Sequence, residues 1–243
     1  MKYVELFRTM IGKVAVFLWP EVCPFCGRVH SQGICIACRR ELEGLRIREP
    51  RCMRCGKPVR NMEQEYCYDC MHMEHSYDRG FGLWQHKKPV STSIYQFKYH
   101  NQRRYGVCYA EELIRCYGHI IKSWAPDLII PIPLHKKRRR QRGYNQAAIV
   151  CRELGRALQI PTDEKSLIRK VHTNPQKLLS HQERQKNLRY AFTLINSFLS
   201  VPTVLLIDDI YTTGSTVDAA AMVLKEKGVE KVYFLTISIG QGF

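Results

Sequence analysis

Eight of the eleven cysteines lie in four Cys-x-x-Cys pairs within the first 70 residues. Each pair can present two thiolates to one metal ion, and two pairs complete the tetrahedral four-thiolate set typical of structural zinc. Redox chemistry is the alternative, which four pairs at such intervals disfavour. The spacing predicts two zinc sites with sequential pairing, although crossed pairing between the two sets stays open. The predicted ligands are Cys23, Cys26, Cys35, Cys38, Cys52, Cys55, Cys67 and Cys70.

A second stretch with chemical potential is LLIDDIYTTGST, in which two adjacent acids end an apolar segment. We predict a strand from Thr203 to Asp209 and a helix from about Thr216. Ligands of open α/β sheets bind beyond the carboxyl ends of the strands, where Asp208 and Asp209 could accept hydrogen bonds from vicinal sugar hydroxyls. Backbone N–H groups at the helix start could bind a phosphate. The predicted phosphate contacts are Thr212, Thr213, Gly214, Ser215 and Thr216, and the alternative is an ordinary strand followed by a capped helix.

The segment HKKRRRQRGYNQ, which begins at His135, is strongly basic and follows another apolar strand, predicted from Leu128 to Pro133. A loop is expected here, followed by a helix that begins near Tyr144. Lysine and arginine suit phosphate oxygens as charge-assisted donors. The best candidates for a phosphate site are Lys137, Arg138 and Arg142. A general surface for polyanions is the alternative, and both readings can hold.

These residues need elements that position them, and the remaining pattern supplies an α/β arrangement. Residues 1–20 have the periodicity of an amphipathic helix, residues 21–76 form the predicted zinc module, and residues 77–243 alternate strand and helix signals. Strand, loop, helix and strand around the two acids form a crossover unit, which predicts a parallel pair. The fold class is therefore α/β, with a parallel sheet flanked by helices behind a cysteine-rich double zinc ribbon module.

The acidic stretch resembles the ribose-phosphate loop of type I phosphoribosyltransferases, in which an apolar strand leads to two acids and Thr-Gly-x-Thr. The resemblance implies that phosphoribosyl pyrophosphate binds with Mg²⁺. Asp208 and Asp209 would be the catalytic pair and hold the ribose hydroxyls, and Thr212 to Thr216 would hold the 5-phosphate.

A closer resemblance covers nearly the whole chain from Cys23 onward. PIPLHKKRRRQRGYNQ and TNPQKLLSHQERQKNLRYAF are similar to two stretches of the ComF family, whose members also carry cysteine pairs before a phosphoribosyltransferase-like domain. The second stretch resembles that family's mobile loop, a hood that would close over the ligand. Its matching residues include Gln176, Arg184 and Asn187.

Two functions follow from the resemblance and the composition. The first is an active glycosyltransferase of nucleotide metabolism that uses phosphoribosyl pyrophosphate. The second is a protein of DNA uptake and natural transformation that binds single-stranded DNA, for which the formal net charge of +16 is favourable. We favour a ribose-phosphate site retained in a DNA-handling protein. Aromatic residues that could stack on bases are Tyr95, Phe97, Tyr99 and Tyr105, with sheet core as the alternative.

Partners and location are expectations of the same kind. DNA-uptake or helicase proteins are the expected protein partners. The N-terminal apolar run is interrupted by Lys13 and is too short and too charged to span a bilayer, so no transmembrane segment is expected. The expected location is the cytoplasm, with the cytoplasmic face of the inner membrane as the alternative.

Overall fold

The computed structural model describes residues 21–30, 33–170, 191–198 and 200–240. The predicted helix over residues 1–20 and the hood residues Gln176, Arg184 and Asn187 lie outside these ranges. The elements in chain order are α1 (Ile36–Glu43), α2 (Tyr68–His72), β1 (Arg79–Gln85), α3 (Val90–Tyr99), α4 (Tyr105–Trp124), β2 (Leu128–Pro131), α5 (Lys136–Arg142), α6 (Gln146–Leu158), β3 (Leu167–Arg169), β4 (Phe192–Leu194), β5 (Thr203–Tyr211), α7 (Ser215–Glu226) and β6 (Lys231–Ile239).

Four strands form a parallel sheet in the order β1-β6-β5-β2. The predicted crossover unit is β5, α7 and β6, and its two strands pair in parallel as expected. Strand β5 continues two residues beyond the prediction, because Ile210 and Tyr211 pair with Ser238 and Ile239 of β6. Asp208 and Asp209 therefore lie among the last paired residues of β5 and not at its final residue. The prediction of a parallel α/β sheet is confirmed.

The apolar run in β5 is continuous because both faces of the sheet are covered. Leu205 and Ile207 face a core built with α4 and α6. Val204 and Leu206 face a second core built with α7 and the small β3–β4 ribbon. Successive side chains of a strand point to opposite faces, so one strand supplies both cores.

The cysteine-rich module packs on both faces of the sheet. The first cysteine set contributes Cys23 and Cys38 to the core on the α4 side, whereas the second set contributes Cys52 and Cys55 to the core on the α7 side. The segment between the two sets bonds to strand β1, with Ile47 N donating to Leu83 O at 3.0 Å and Gln85 N donating to Leu45 O at 2.8 Å. The module thus covers the outer edge of β1, which would otherwise expose its polar backbone groups.

The basic segment is a helix, α5, so the prediction of a loop was wrong. Its ends explain the outcome. The His135 side chain accepts a hydrogen bond from Lys137 N at the start, and Gly143 ends the helix at a φ of 77°. Helix α6 then begins at Gln146, two residues after the predicted Tyr144, with Asn145 as its N-cap.

Candidate ligand site at the carboxyl edge of the sheet

The eight paired cysteines form two clusters in sequential order. Within each cluster the four Sγ atoms all lie within 4.8 Å of one another. The Sγ atoms of Cys26 and Cys35 are 3.7 Å apart, and those of Cys55 and Cys67 are 3.5 Å apart. Four thiolates at a Zn–S distance of about 2.3 Å would be separated by about 3.8 Å in a tetrahedron. Each cluster therefore fits one structural zinc ion, and pairing between the two sets does not occur.

Asp208 and Asp209 lie side by side near the carboxyl end of β5. The Asp208 carboxylate accepts a hydrogen bond from Asp209 N at 2.8 Å. Asp209 forms an ion pair with Lys98 of α3, with 2.7 Å between Oδ1 and Nζ, and both side chains are largely buried. Burial and the negative charge of Asp209 raise the pKa of Asp208 to about 7. One acid is thus matched by a cation, and the other takes up a proton easily.

The loop after β5 has a backbone that only glycine fits. Gly214 has a φ of 81°, and a Cβ atom there would lie 2.5 Å from the Tyr211 hydroxyl oxygen. The first bond of α7 runs from Asp218 N to Gly214 O at 2.8 Å. The N–H groups of Ser215, Thr216 and Val217 precede this bond and have no acceptor within the helix. A phosphate oxygen is the acceptor that such a helix start favours.

Tyr211 packs against this loop and links it to the segment that follows the second cysteine cluster. Its hydroxyl lies 2.7 Å from the Tyr77 hydroxyl, and both rings are buried against Phe234. Tyr77 lies in the segment that joins the cysteine-rich module to β1. The position of the loop therefore depends on how the module packs.

Arg138 is the member of the basic segment whose charge acts on Arg169, a neighbour of the acids. Burial lowers the pKa of Arg169 in β3, the positive charge of Arg138 lowers it further, and the negative charge of Asp208 raises it. Arg169 therefore lies within electrostatic reach of both Arg138 and Asp208. The other candidates behave differently: Lys137 is exposed, and Arg142 donates to Gln146 Oε1 at 3.2 Å and to the Tyr99 hydroxyl at 3.1 Å.

Two further cations lie at this edge, and no sequence motif predicts either of them. Lys98 is 111 residues from its partner Asp209, and no motif surrounds it. Arg169 ends a three-residue strand whose pairing with β4 brings it to the sheet. Chain pattern carries no signal for either residue, because tertiary packing alone places them beside the acids.

Comparison with known proteins places these features in a family. The model of the double zinc ribbon domain matches residues 14–71. "Competence protein F" of Haemophilus influenzae is 33% identical over 218 residues, which cover 86% of this chain and 93% of that protein. "DNA utilization protein YhgH" of Escherichia coli K12 is 28% identical, with 88% of this chain and 94% of that protein covered. "Competence protein ComFC" of Bacillus subtilis is 28% identical over 86% of this chain and 73% of that protein.

A purine phosphoribosyltransferase from Pyrococcus horikoshii is similar to 55% of this chain and 87% of its own, at 16% identity and a TM-score of 0.35, a likeness too distant to bear on function. In the part of the chain that the structure describes, no helix has the length and apolar character needed to cross a bilayer.

The fold and the two cysteine clusters define the class: a double zinc ribbon joined to an α/β domain with a parallel sheet. Within that class, this chain belongs to the competence protein F (ComF) family. The resemblance drawn from the sequence motifs is confirmed, as is the zinc ribbon module that precedes the sheet.

Proposed function

We propose that this protein acts in DNA uptake and that the carboxyl edge of its sheet binds phosphoribosyl pyrophosphate. One observation carries the ligand proposal. The acid pair of β5 and the helix start of α7 are joined by a tight glycine loop, so carboxylates that accept from sugar hydroxyls and N–H groups that donate to a phosphate lie one loop apart. A ribose 5-phosphate group has this spacing of functional groups.

Each residue at the edge has a chemical task in this proposal. Asp208 and Asp209 accept hydrogen bonds from the ribose hydroxyls, and the first turn of α7 binds the 5-phosphate. Arg138 and Arg169 offer guanidinium groups to the pyrophosphate. Magnesium bound with the ligand would add electrostatic stabilisation of the pyrophosphate oxygens.

Lys98 has a further task, because its ammonium group is bound to Asp209 before the ligand binds. The ion pair with Asp209 orients that carboxylate and lowers the charge repulsion within the pair. We therefore expect Lys98→Ala to weaken the binding of phosphoribosyl pyrophosphate and, because it leaves the largely buried Asp209 without its cation, to lower the free energy of unfolding as well.

The DNA role rests on the relatives and on charge. The relatives' names describe competence and DNA utilisation, and the chain covers almost their whole length. A net charge of +16 favours a polyanionic partner. We propose single-stranded DNA as that partner, with DNA-uptake or helicase proteins acting beside it.

Calorimetric titration with phosphoribosyl pyrophosphate and Mg²⁺ tests the ligand proposal. We expect Asp208→Asn and Asp209→Asn to weaken binding at least roughly tenfold, since each removes a charged hydrogen bond. Asp127→Asn is the matched control, because Asp127 lies at the opposite edge of the sheet and accepts from Thr203 N through an oxygen that asparagine keeps. Wild-type affinity in both acid variants would refute the proposal.

A second candidate is an active transferase of nucleotide metabolism without a DNA role, and a cleft favours it. A cavity of 770 Å³ lies between the second zinc ribbon and the ends of β1 and β6. Its wall includes Gly240, whose N–H donates to Tyr211 O at 2.7 Å. A Cβ atom at Gly240 would lie 3.2 Å from the Thr212 side chain, in the loop after β5. An acceptor molecule in this cleft would adjoin the ribose site.

Turnover distinguishes the two candidates. Pyrophosphate release would be measured with phosphoribosyl pyrophosphate, Mg²⁺ and a panel of nucleobases and amines. Release that depends on one acceptor, without measurable DNA binding, would favour the transferase. Tight ligand binding without release would leave the DNA-handling function as the better description.

A further inference from the structure

The four aromatic residues singled out in the sequence divide into two groups. Phe97 and Tyr105 are buried, which agrees with the alternative that they are core residues and do not stack on bases. Tyr95 and Tyr99 are 54% and 49% exposed. They lie four residues apart on α3, with ring centroids separated by 4.9 Å, and His100 extends the group at 5.7 Å from Tyr95. We call Tyr95, Tyr99 and His100 the tyrosine platform.

The tyrosine platform lies directly beside the basic helix. The Arg142 guanidinium carbon lies 5.0 Å from the centre of the Tyr99 ring, and Arg142 Nη2 donates to the Tyr99 hydroxyl at 3.1 Å. Six of the seven residues of α5 are lysine or arginine, and none of the seven is buried. Arg103 adds a guanidinium group over Tyr144, at 4.9 Å from the ring centre.

Hydrogen bonds from two side chains to one backbone carbonyl fix this arrangement. The Tyr144 hydroxyl donates to Phe97 O, and Gln146 Nε2 lies 3.4 Å from the same oxygen. These bonds join the last turns of α3 to the α5–α6 connection and the start of α6. The exposed rings and the row of cations are therefore held side by side in the folded protein.

We propose that the tyrosine platform and helix α5 form a binding surface for single-stranded nucleic acid. Unpaired bases stack on exposed aromatic rings, and phosphates bind lysine and arginine. A duplex hides its base faces, so this pairing of rings with cations favours single strands. The proposal rests on the DNA role inferred above and adds the surface that performs it.

The surface also adjoins the ribose-phosphate site. Helix α3 carries Tyr95 and Tyr99 outward and Lys98 toward Asp209. A strand bound on the platform would therefore lie next to the carboxyl edge of the sheet. Both sites can still be tested separately, because the ring and hydrogen-bond contacts of Tyr95 and Tyr99 run to each other, to His100 and to Arg142.

Fluorescence anisotropy with a labelled oligothymidylate tests the surface in the full-length protein. We expect the double variant Tyr95→Ala/Tyr99→Ala to bind at least roughly tenfold more weakly, since base stacking is lost. Tyr95→Phe/Tyr99→Phe keeps the rings and should retain most of the affinity. Tyr68→Ala is the matched control, because Tyr68 is 69% exposed and packs on His72 in the second zinc ribbon.

The salt dependence separates stacking from charge. Replacing Lys136, Arg139 and Arg140 by glutamine should reduce the slope of affinity against salt by roughly one for each lost phosphate contact. The tyrosine variants should leave that slope unchanged. Binding of phosphoribosyl pyrophosphate serves as the fold control and should stay at the wild-type level in the tyrosine variants.

Three outcomes would overturn the proposal. Wild-type oligothymidylate binding by the double alanine variant would show that the rings do not stack on bases. A loss confined to Tyr68→Ala would move the surface to the second zinc ribbon. Equal affinity for duplex and single strand, with no effect of the tyrosines, would leave a general polyanion surface. Absence of any nucleic-acid binding by the wild type would refute the DNA role itself, a result distinct from these three.

Discussion

At the scale of single residues, Gly214 decides whether the loop after β5 can hold a phosphate. A side chain there would clash with the Tyr211 ring. The backbone of Gly214 also has a left-handed conformation, which other residues rarely adopt. We expect Gly214→Ala to lower the free energy of unfolding by about 1–3 kcal/mol and to weaken ligand binding. Gly118→Ala is the control, since a Cβ there makes only an ordinary contact with Ile114. Chemical denaturation and titration of both variants provide the measurement, and unchanged ligand binding by Gly214→Ala would contradict the assignment.

A second prediction at this scale concerns Asp208 and the dependence of stability on pH. The unfolded chain ionises this carboxyl near pH 4, whereas burial and the charge of Asp209 raise its pKa in the folded protein to about 7. Between these values the unfolded state has lost a proton that the folded state keeps, so this group makes the protein less stable as pH rises. Asp208→Asn should be more stable than wild type by about 1–3 kcal/mol at neutral to basic pH.

Thermal unfolding across a pH series measures the effect. The difference between Asp208→Asn and wild type should shrink toward pH 4, where both states of the wild type are protonated. Asp163→Asn should have the opposite sign, because hydrogen bonds from Ser166 and Lys165 outweigh burial and lower the pKa of Asp163. A destabilised Asp208→Asn at neutral pH would show that the carboxylate stabilises the fold and is not held at a cost for binding.

At the scale of elements, one hydrogen bond joins the end of β5 to the segment before β1. Tyr77→Phe would leave the Tyr211 hydroxyl without this partner in a buried environment. We expect a loss of about 1–3 kcal/mol in the free energy of unfolding, together with weaker phosphate binding. Tyr233→Phe is the comparison, since that ring stacks on Trp124 and should tolerate loss of its hydroxyl. Equal stability of the two variants in urea denaturation would contradict the role of the bond.

The elements also show what the sequence could predict. The β5–α7–β6 unit was predictable because a continuous apolar run, two acids and a glycine loop each favour the same structure. Helix α5 was not, since a row of like charges argues against a helix and the caps at His135 and Gly143 decide the result. Lys98 was beyond reach, because only the packing of α3 against the sheet brings it to Asp209.

At the scale of the whole molecule, the zinc ribbons are part of the core rather than an appendage. One cluster packs on each face of the sheet. Structural zinc contributes about 10–16 kcal/mol in small peptides, comparable with the ~5–15 kcal/mol stability of a domain. We therefore expect removal of zinc by a strong chelator to unfold the α/β domain together with the module.

Circular dichroism and tryptophan fluorescence report this unfolding, with metal content measured on the same samples. Cys151→Ser provides a control that removes a cysteine outside both clusters and should keep two zinc ions per chain. A chelated protein, free of zinc but with an unchanged unfolding transition of the sheet, would show that the module is dispensable for the domain.

The central claim is that the acid pair and the start of α7 form one pocket for a phosphorylated sugar. The most direct measurement is a crystal structure with phosphoribosyl pyrophosphate and Mg²⁺. We predict the 5-phosphate at the N–H groups of Ser215 to Val217, with the ribose hydroxyls within hydrogen-bonding distance of Asp208 and Asp209. A ligand bound elsewhere, with the Lys98–Asp209 ion pair unchanged, would contradict the claim.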